Sequence, residues 1–211
     1  MTKEEIVYTI KAMLHSVDKT SKYHPNLIAM RCNFVWAQIL NDAFKKEPGT
    51  LDFFAKEYNG IAVSTDATTT KYYADLPAPI MVFQSNQRGL PSIKEGIRHI
   101  STDTGDDLEF VPISETELRL SEGLEVDQVK STVGTSTIYY IPRFDKVIFV
   151  KNMSSGQAAA GVTMRLVIPF NEYDDTDHLP IPSGMGETFI NTVVQAMMGI
   201  PPVDLDNKNN G

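Results

Sequence analysis

Apolar residues recur at helical spacing towards the two ends of the chain and at strand spacing in its middle. Near the C-terminal end, Phe189, Ile190, Val193, Val194, Met197 and Met198 form two adjacent rows of residues four apart, a broad stripe along one side of a helix. The run His178-Leu-Pro-Ile-Pro stops whatever precedes it, and Ser183 is placed to cap it. Gly199 ends it, and Pro201-Pro202 forbids resumption. A helix of roughly four turns does not bury such a stripe alone. Its partner is expected in the other strongly helical stretch, residues 1–60. There Thr2 and Glu5 have capping-box spacing, and Ile6, Val7, Ile10, Met13, Leu14 and Val17 follow at helical period, which predicts a helix over 2–16. Lys19 to His24 is a polar link. Pro25 suits the first turn of a second helix, which carries Leu27, Ile28, Cys32, Phe34, Val35, Trp36, Ile39, Leu40, Ala43 and Phe44. That arc is wide enough to meet more than one neighbour. Pro48-Gly49 ends it, and residues 51–58 fit a short helix or a loop packing Phe53 and Phe54.

From Ile61 the pattern turns to strands. Short candidates are 61–63, 71–74, 80–83, 96–100 and 108–111, separated by polar or Gly/Pro segments. Ser114 and Glu117 repeat the capping spacing, for one or two helical turns through Leu118 and Leu120. Residues 137–141 and 146–150 flank Pro142-Arg-Phe-Asp145 and read as a hairpin, and 161–170 is one more strand, broken late by Pro169. Segments 64–70 and 151–160 are small and polar and read as loops or arms. The expected fold is α+β: a helical layer from the N-terminal helices and the C-terminal helix, with an inserted antiparallel, sandwich-like or rolled β-domain. The expected divisions are 1–60 helical, 61–178 β-rich, 179–200 the C-terminal helix packing on the N-terminal ones, and 201–211 a polar tail.

Composition narrows the function classes. The formal charge is −8, and it is uneven: residues 101–130 hold nine acidic and two basic groups, and 171–211 hold seven and one. No stretch has the basic footprint that neutralising phosphates requires, so tight nucleic-acid binding is not expected. An acidic face can still line a passage where DNA slides without sticking. Cys32 is the only cysteine, so no intrachain disulfide forms, and its apolar surroundings predict a buried, inert thiol. No apolar run reaches eighteen residues and the first residues lack a signal-peptide layout, so an intracellular, reduced setting is expected.

Candidate chemistry is sparse. Asp174, Asp175, Asp177 and His178 form the densest set of ligand-type residues, but without the spacing of a calcium loop, and a solvated loop is the simpler reading. Asp204 and Asp206 have the same weakness. The four histidines are scattered, and neither a zinc pattern, a nucleophile elbow nor a phosphate-binding loop is found. No catalytic, cofactor or metal residue is assigned. Tyr72, Tyr73, Tyr139 and Tyr140 are able to stack bases. Such pairs on strands more often put one ring in the core and one at an interface. Met185, Met197 and Met198 suit core filling or an adaptable contact face.

The order of these features resembles a known family. Met1–Phe44, the run Tyr139-Tyr-Ile-Pro-Arg-Phe-Asp-Lys-Val-Ile-Phe149, Met164–Phe170 and Leu179–Asn210 are similar to the ring-forming head-to-tail connector proteins of crAss-like and related short-tailed phages. Those proteins are similar in turn to the tail tubular, or adaptor, proteins of such phages. The resemblance covers about half the chain and rests on motifs with little chemistry in them. It implies a non-enzymatic virion subunit at the portal vertex, made in the host cytoplasm. It also implies a closed ring of identical copies, commonly twelvefold, against a portal or neighbouring ring, with DNA passing unbound through the lumen. The expected contact residues are Phe189, Val193, Met197, Tyr139, Tyr140, Asp204 and Asp206, with no cofactor and no membrane. Two alternatives are a ligand- or carbohydrate-binding β-module using Trp36 and the tyrosines, and a metal-dependent hydrolase using Asp174, Asp175, Asp177 and His178.

Overall fold

A computed structural model describes residues 1–17, 19, 23–84, 91–103, 109–123, 137–151, 153–182 and 184–199. Among the described residues the α-helices are α1 (Lys3–Val17), α2 (Pro25–Lys46), α3 (Glu115–Gly123), α4 (Ser155–Ala160) and α5 (Met185–Met197). The chain forms two compact units: Met1–Phe54 with Pro169–Gly211, and Ala55–Ile168 between them. The divisions thus fall earlier than the expected 60/61 and 178/179.

The first unit is the helical layer. At the start of α1 the Thr2 amide donates to the Glu5 carboxylate at 2.8 Å, and the Glu5 amide donates to Thr2 Oγ1 at 3.2 Å, completing the capping box. The helix buries Ile6, Ile10 and Leu14. Pro25 opens α2, where His24 Nδ1 accepts from the Asn26 amide at 3.2 Å, and Lys45 and Lys46 favour its C-terminal end. It buries Ile28, Cys32, Val35, Trp36, Leu40 and Phe44, while α5 buries Phe189, Ile190, Val193 and Val194. Helix α5 packs against both α1 and α2, so the two ends of the chain form one helical body as the stripe requires. Its N-cap is Gly184, at φ 89° and with no side-chain bond; Ser183, the expected cap, lies outside the described residues. Left-handed backbone suits glycine there.

At the centre of this unit stands Trp36. Phe54, Tyr173 and Phe189 meet it edge-on, with ring centroids 5.6, 6.3 and 6.1 Å away. Phe170 reaches Phe189 at 5.9 Å. Phe54 ends a short 3₁₀ helix, Pro48–Phe54, and Phe170 starts another, Phe170–Glu172. The expected strand over 161–170 therefore stops early: pairing ends at Leu166, and Phe170 serves the helical core instead.

The second unit contains β1 (Lys56–Ile61), β2 (Ser64–Thr65), β3 (Tyr72–Asp75), β4 (Phe83–Gln84), β5 (Pro91–Ser92), β6 (Ile97–Thr102), β7 (Glu109–Pro112), β8 (Thr137–Pro142), β9 (Lys146–Lys151) and β10 (Val162–Leu166). They make a three-stranded sheet β1-β10-β6, a five-stranded sheet β2-β3-β9-β8-β7 and the ribbon β4-β5. The β8–β9 hairpin forms as expected, with Tyr140 opposite Phe149 and Ile141 opposite Ile148. In β10, Val162, Met164 and Leu166 are buried and alternate with half-buried Thr163 and Arg165, the pattern of a sheet with one core face.

The five-stranded sheet is mixed, since β7 pairs with β8 in parallel, while the three-stranded sheet and the ribbon are antiparallel. Residues 113–136 connect β7 to β8, long enough for the crossover a parallel pair needs. Both expected loops carry structure. Ser64 and Thr65 pair with β3, and the Asp66 carboxylate accepts from the amides of Thr68 and Thr69 at 2.9 and 2.7 Å, closing the turn. Ser154 and Gln157 form a capping box that starts α4. Of residues 51–58, read as a short helix or a loop, the part up to Phe54 is 3₁₀ helix, while 56–58 are strand because Tyr58 pairs with Met164 of β10.

Candidate functional site

The acidic run Asp174–His178 is a fastening. Backbone carbonyls of Asp177 and Asp175 accept from the amides of Lys3 and Glu4 at 3.2 and 3.1 Å, and the Leu179 amide donates to the Met1 carbonyl at 3.1 Å. The first-turn amides of α1, which have no partner within a helix, are thus satisfied from the far end of the chain. Lys3 Nζ donates to the Tyr173 carbonyl at 2.6 Å and the Asn171 carbonyl at 3.4 Å, with Asp175 Oδ1 also at 3.4 Å. The Asp177 carboxylate accepts from the Asp174 amide at 2.9 Å. Among the described residues, no group of three or more His, Cys, Asp or Glu is arranged to hold a metal ion.

The expected contact residues separate into three groups. Phe189 and Val193 are core residues of the helical unit, and Met197 at the end of the same stripe is half-buried. On β8, Tyr140 points into the core and Tyr139 remains half-buried, the split expected of a strand pair. Burial raises the Tyr140 hydroxyl to about 12, against a smaller opposing pull from Arg98. Asp204 and Asp206 lie outside the described residues. Trp36 is 1% exposed, so it is not available as the contact residue of a ligand-binding module. Tyr72 and Tyr73 are half-buried, and Lys146 Nζ sits 5.2 Å from the Tyr73 ring centroid. Cys32 is wholly buried, and desolvation raises its thiol to about 12, far from a reactive thiolate.

Sequence reasoning did not single out the surface that the fold leaves apolar. Leu27, Met30 and Phe34 are 42%, 63% and 54% exposed on the side of α2 away from its buried stripe. Their spacing puts them on one helix face. The Arg31 guanidinium lies 6.0 Å from the Phe34 ring centroid, within cation–π range. Tyr8 on α1, Phe53 on the first 3₁₀ helix and Phe144 at the β8–β9 turn are also mostly exposed. The wide arc of α2 was the available signal; its outer part faces no neighbour within the described unit. Neither a protein-family model nor a curated protein sequence matches the chain. Among the described residues no helix is long and apolar enough to cross a membrane.

Proposed function

We propose that the chain is a non-enzymatic virion subunit that closes with copies of itself into a ring, joining a phage head to its tail at the portal vertex. The observation that carries the assembly part is the exposed row Leu27, Met30 and Phe34 on α2. A contiguous apolar patch on an otherwise polar helix face is characteristic of a protein contact. A ring needs heterologous contacts that close, with unlike patches on each subunit. The phage assignment rests on the sequence resemblance, which also suggests a twelvefold ring against a portal or an adjacent ring. The charge of −8 is compatible with DNA passing through without being held.

Size-exclusion chromatography with light scattering, followed by negative-stain imaging, tests the ring. The full chain should give a closed multimer at micromolar concentration. Phe34→Glu with Met30→Glu should reduce it to monomers while leaving the thermal unfolding midpoint within a degree or two. A wild-type chain that stays monomeric at every concentration, alone or with portal rings, refutes the reading. Particle images placing the chain away from the portal vertex refute the location.

A further inference from the structure

We infer that Asn59 is a self-modification site: the Gly60 nitrogen closes on the Asn59 side chain to form a succinimide, with Asp103 as the base, and water then opens the ring to aspartate or isoaspartate. The site is a bulge in the β1–β10 ladder. Tyr58 faces Met164 and Ile61 faces Val162, so Asn59 and Gly60 together oppose Thr163. Gly60 has φ 68°, left-handed backbone that suits glycine, and a Cβ there would meet nothing within 4 Å. Asn59, Gly60 and Asp103 are all exposed, so no side chain screens the nitrogen and water reaches the ring.

Three strands bring the chemistry to this point. The sheet order β1-β10-β6 sets Thr163 of β10 between Asn59 and Asp103, the residue that follows β6. The Gly60 amide donates to Asp103 Oδ2 at 3.1 Å. Asp103 Oδ1 lies 2.6 Å from Thr163 Oγ1, and Asn59 Oδ1 lies 2.9 Å from the same hydroxyl. A hydroxyl has one proton and a carboxylate only accepts, so the Thr163 proton belongs to Asp103. A half-turn of the Asn59 carboxamide puts its NH2 in the other place, as a donor to Thr163. The Asp103 amide donates to the Gly161 carbonyl at 3.3 Å, which anchors the base from behind. A bulge needs only some acceptor for the Gly60 amide, and a neutral oxygen would serve. A carboxylate adds the capacity to take the proton.

The step balances without a redox partner. As the Gly60 nitrogen bonds to Asn59 Cγ, its proton passes to Asp103 Oδ2. The Cγ–Nδ2 bond then breaks, and that nitrogen leaves as ammonia with the proton Asp103 returns. Water adds across either C–N bond of the succinimide, giving aspartate or isoaspartate. In sum, water enters and ammonia leaves. Asp103 is the catalytic residue, since it touches the attacking nitrogen. Thr163 is a positioning residue that holds base and carboxamide side by side. Each event adds a negative charge next to Asp103, at an exposed point of the sheet.

Peptide mapping by mass spectrometry on the full-length chain, sampled through a neutral incubation, tests it; succinimide, aspartate and isoaspartate at position 59 count together as product. The same chain unfolded in guanidinium gives the rate of the dipeptide without its base. The folded chain should convert at least about tenfold faster than the unfolded one. Asp103→Asn keeps an acceptor for the Gly60 amide and removes the base, and should slow the folded chain by about a hundredfold. Thr163→Val should slow it about tenfold, and Thr163→Ser, which restores the hydroxyl, should recover the rate. A folded chain no faster than the unfolded one overturns the inference, and that comparison needs no variant to fold. An Asp103→Asn chain that converts as fast as the wild type overturns it as well.

Discussion

Replacing Phe189 by alanine tests whether the two ends of the chain hold each other in place. The side chain is 1% exposed and lies between the rings of Trp36 and Phe170. Truncating a buried phenylalanine costs about 3–5 kcal/mol, the lost transfer energy plus the cavity left behind. A typical domain has only about 5–15 kcal/mol in all, so a large share of the unit's stability should go. At about 1.4 kcal/mol per factor of ten, the folding equilibrium should fall by roughly two to three and a half powers of ten. Urea unfolding followed by tryptophan fluorescence is the assay, because Trp36 is the only tryptophan and belongs to the helical unit. Phe189→Leu should lose less than half as much. Phe53→Ala is the control, at a side chain 70% exposed, and should stay within about 0.5 kcal/mol. If Phe189→Ala and Phe53→Ala shift the midpoint alike, α5 is not the element that completes the core.

Three further outcomes are expected. Lys3→Met should destabilise the helical unit by about 1.5–3 kcal/mol in the same assay, since it removes the bond to the Tyr173 carbonyl from a side chain only 16% exposed; Asp175→Asn, at a carboxylate 75% exposed, should cost less than about 1 kcal/mol. Gly96→Ala should destabilise the strand unit by more than about 1 kcal/mol, read by hydrogen exchange, because a Cβ there would stand 2.4 Å from the Met81 carbonyl oxygen. The backbone bond from Thr69, followed by the Thr69 hydroxyl and the Thr68 amide, holds the Asp66 carboxyl below its ordinary range. A depressed folded value means the turn's contribution is full above the ordinary aspartate range and is lost as pH falls through the folded value. The Thr68 and Thr69 amide resonances should move in that acid window and not in Asp66→Ala.

What could be read in advance was what the chain encodes locally. The capping boxes at Thr2 and Ser114, the β8–β9 hairpin and the α5 stripe each lie within a few consecutive turns or residues, and each is present. Misread features depend on distant partners. Lys56–Ile61 has few β-forming residues and is a strand because β10 lies beside it. The apolar run 161–170 looks continuous, yet Pro169 lacks the amide to continue a ladder, and Phe170 and Tyr173 turn to the helical core. The parallel β7–β8 pair brings together residues that no short window contains. Among the candidate site residues, the division of Tyr139 from Tyr140 followed from strand alternation. The acidic run 174–178 looked like a ligand set because a sequence lists side chains, whereas its work is done largely by backbone carbonyls.

The inserted unit also explains how a helical body split across the chain can form. Lys56 at the start of β1 faces Leu166 at the end of β10, so entry and exit of the insert are neighbouring strands. Adjacent strands lie about 4.8 Å apart. Closing a loop of about a hundred residues costs roughly 4–5 kcal/mol in chain entropy, and a folded insert has already met that cost before α5 docks. The two units should therefore be coupled thermodynamically. Met164, wholly buried in β10 opposite Tyr58, is the place to test it. Met164→Ala should cost the strand unit about 2–5 kcal/mol directly. Where that unit unfolds, the helical unit must close the loop unaided, so the Trp36 transition should move to lower urea together with the strand transition followed by hydrogen exchange. A Trp36 midpoint that stays fixed while the strand unit melts earlier would mean that the helical unit closes without help from the insert.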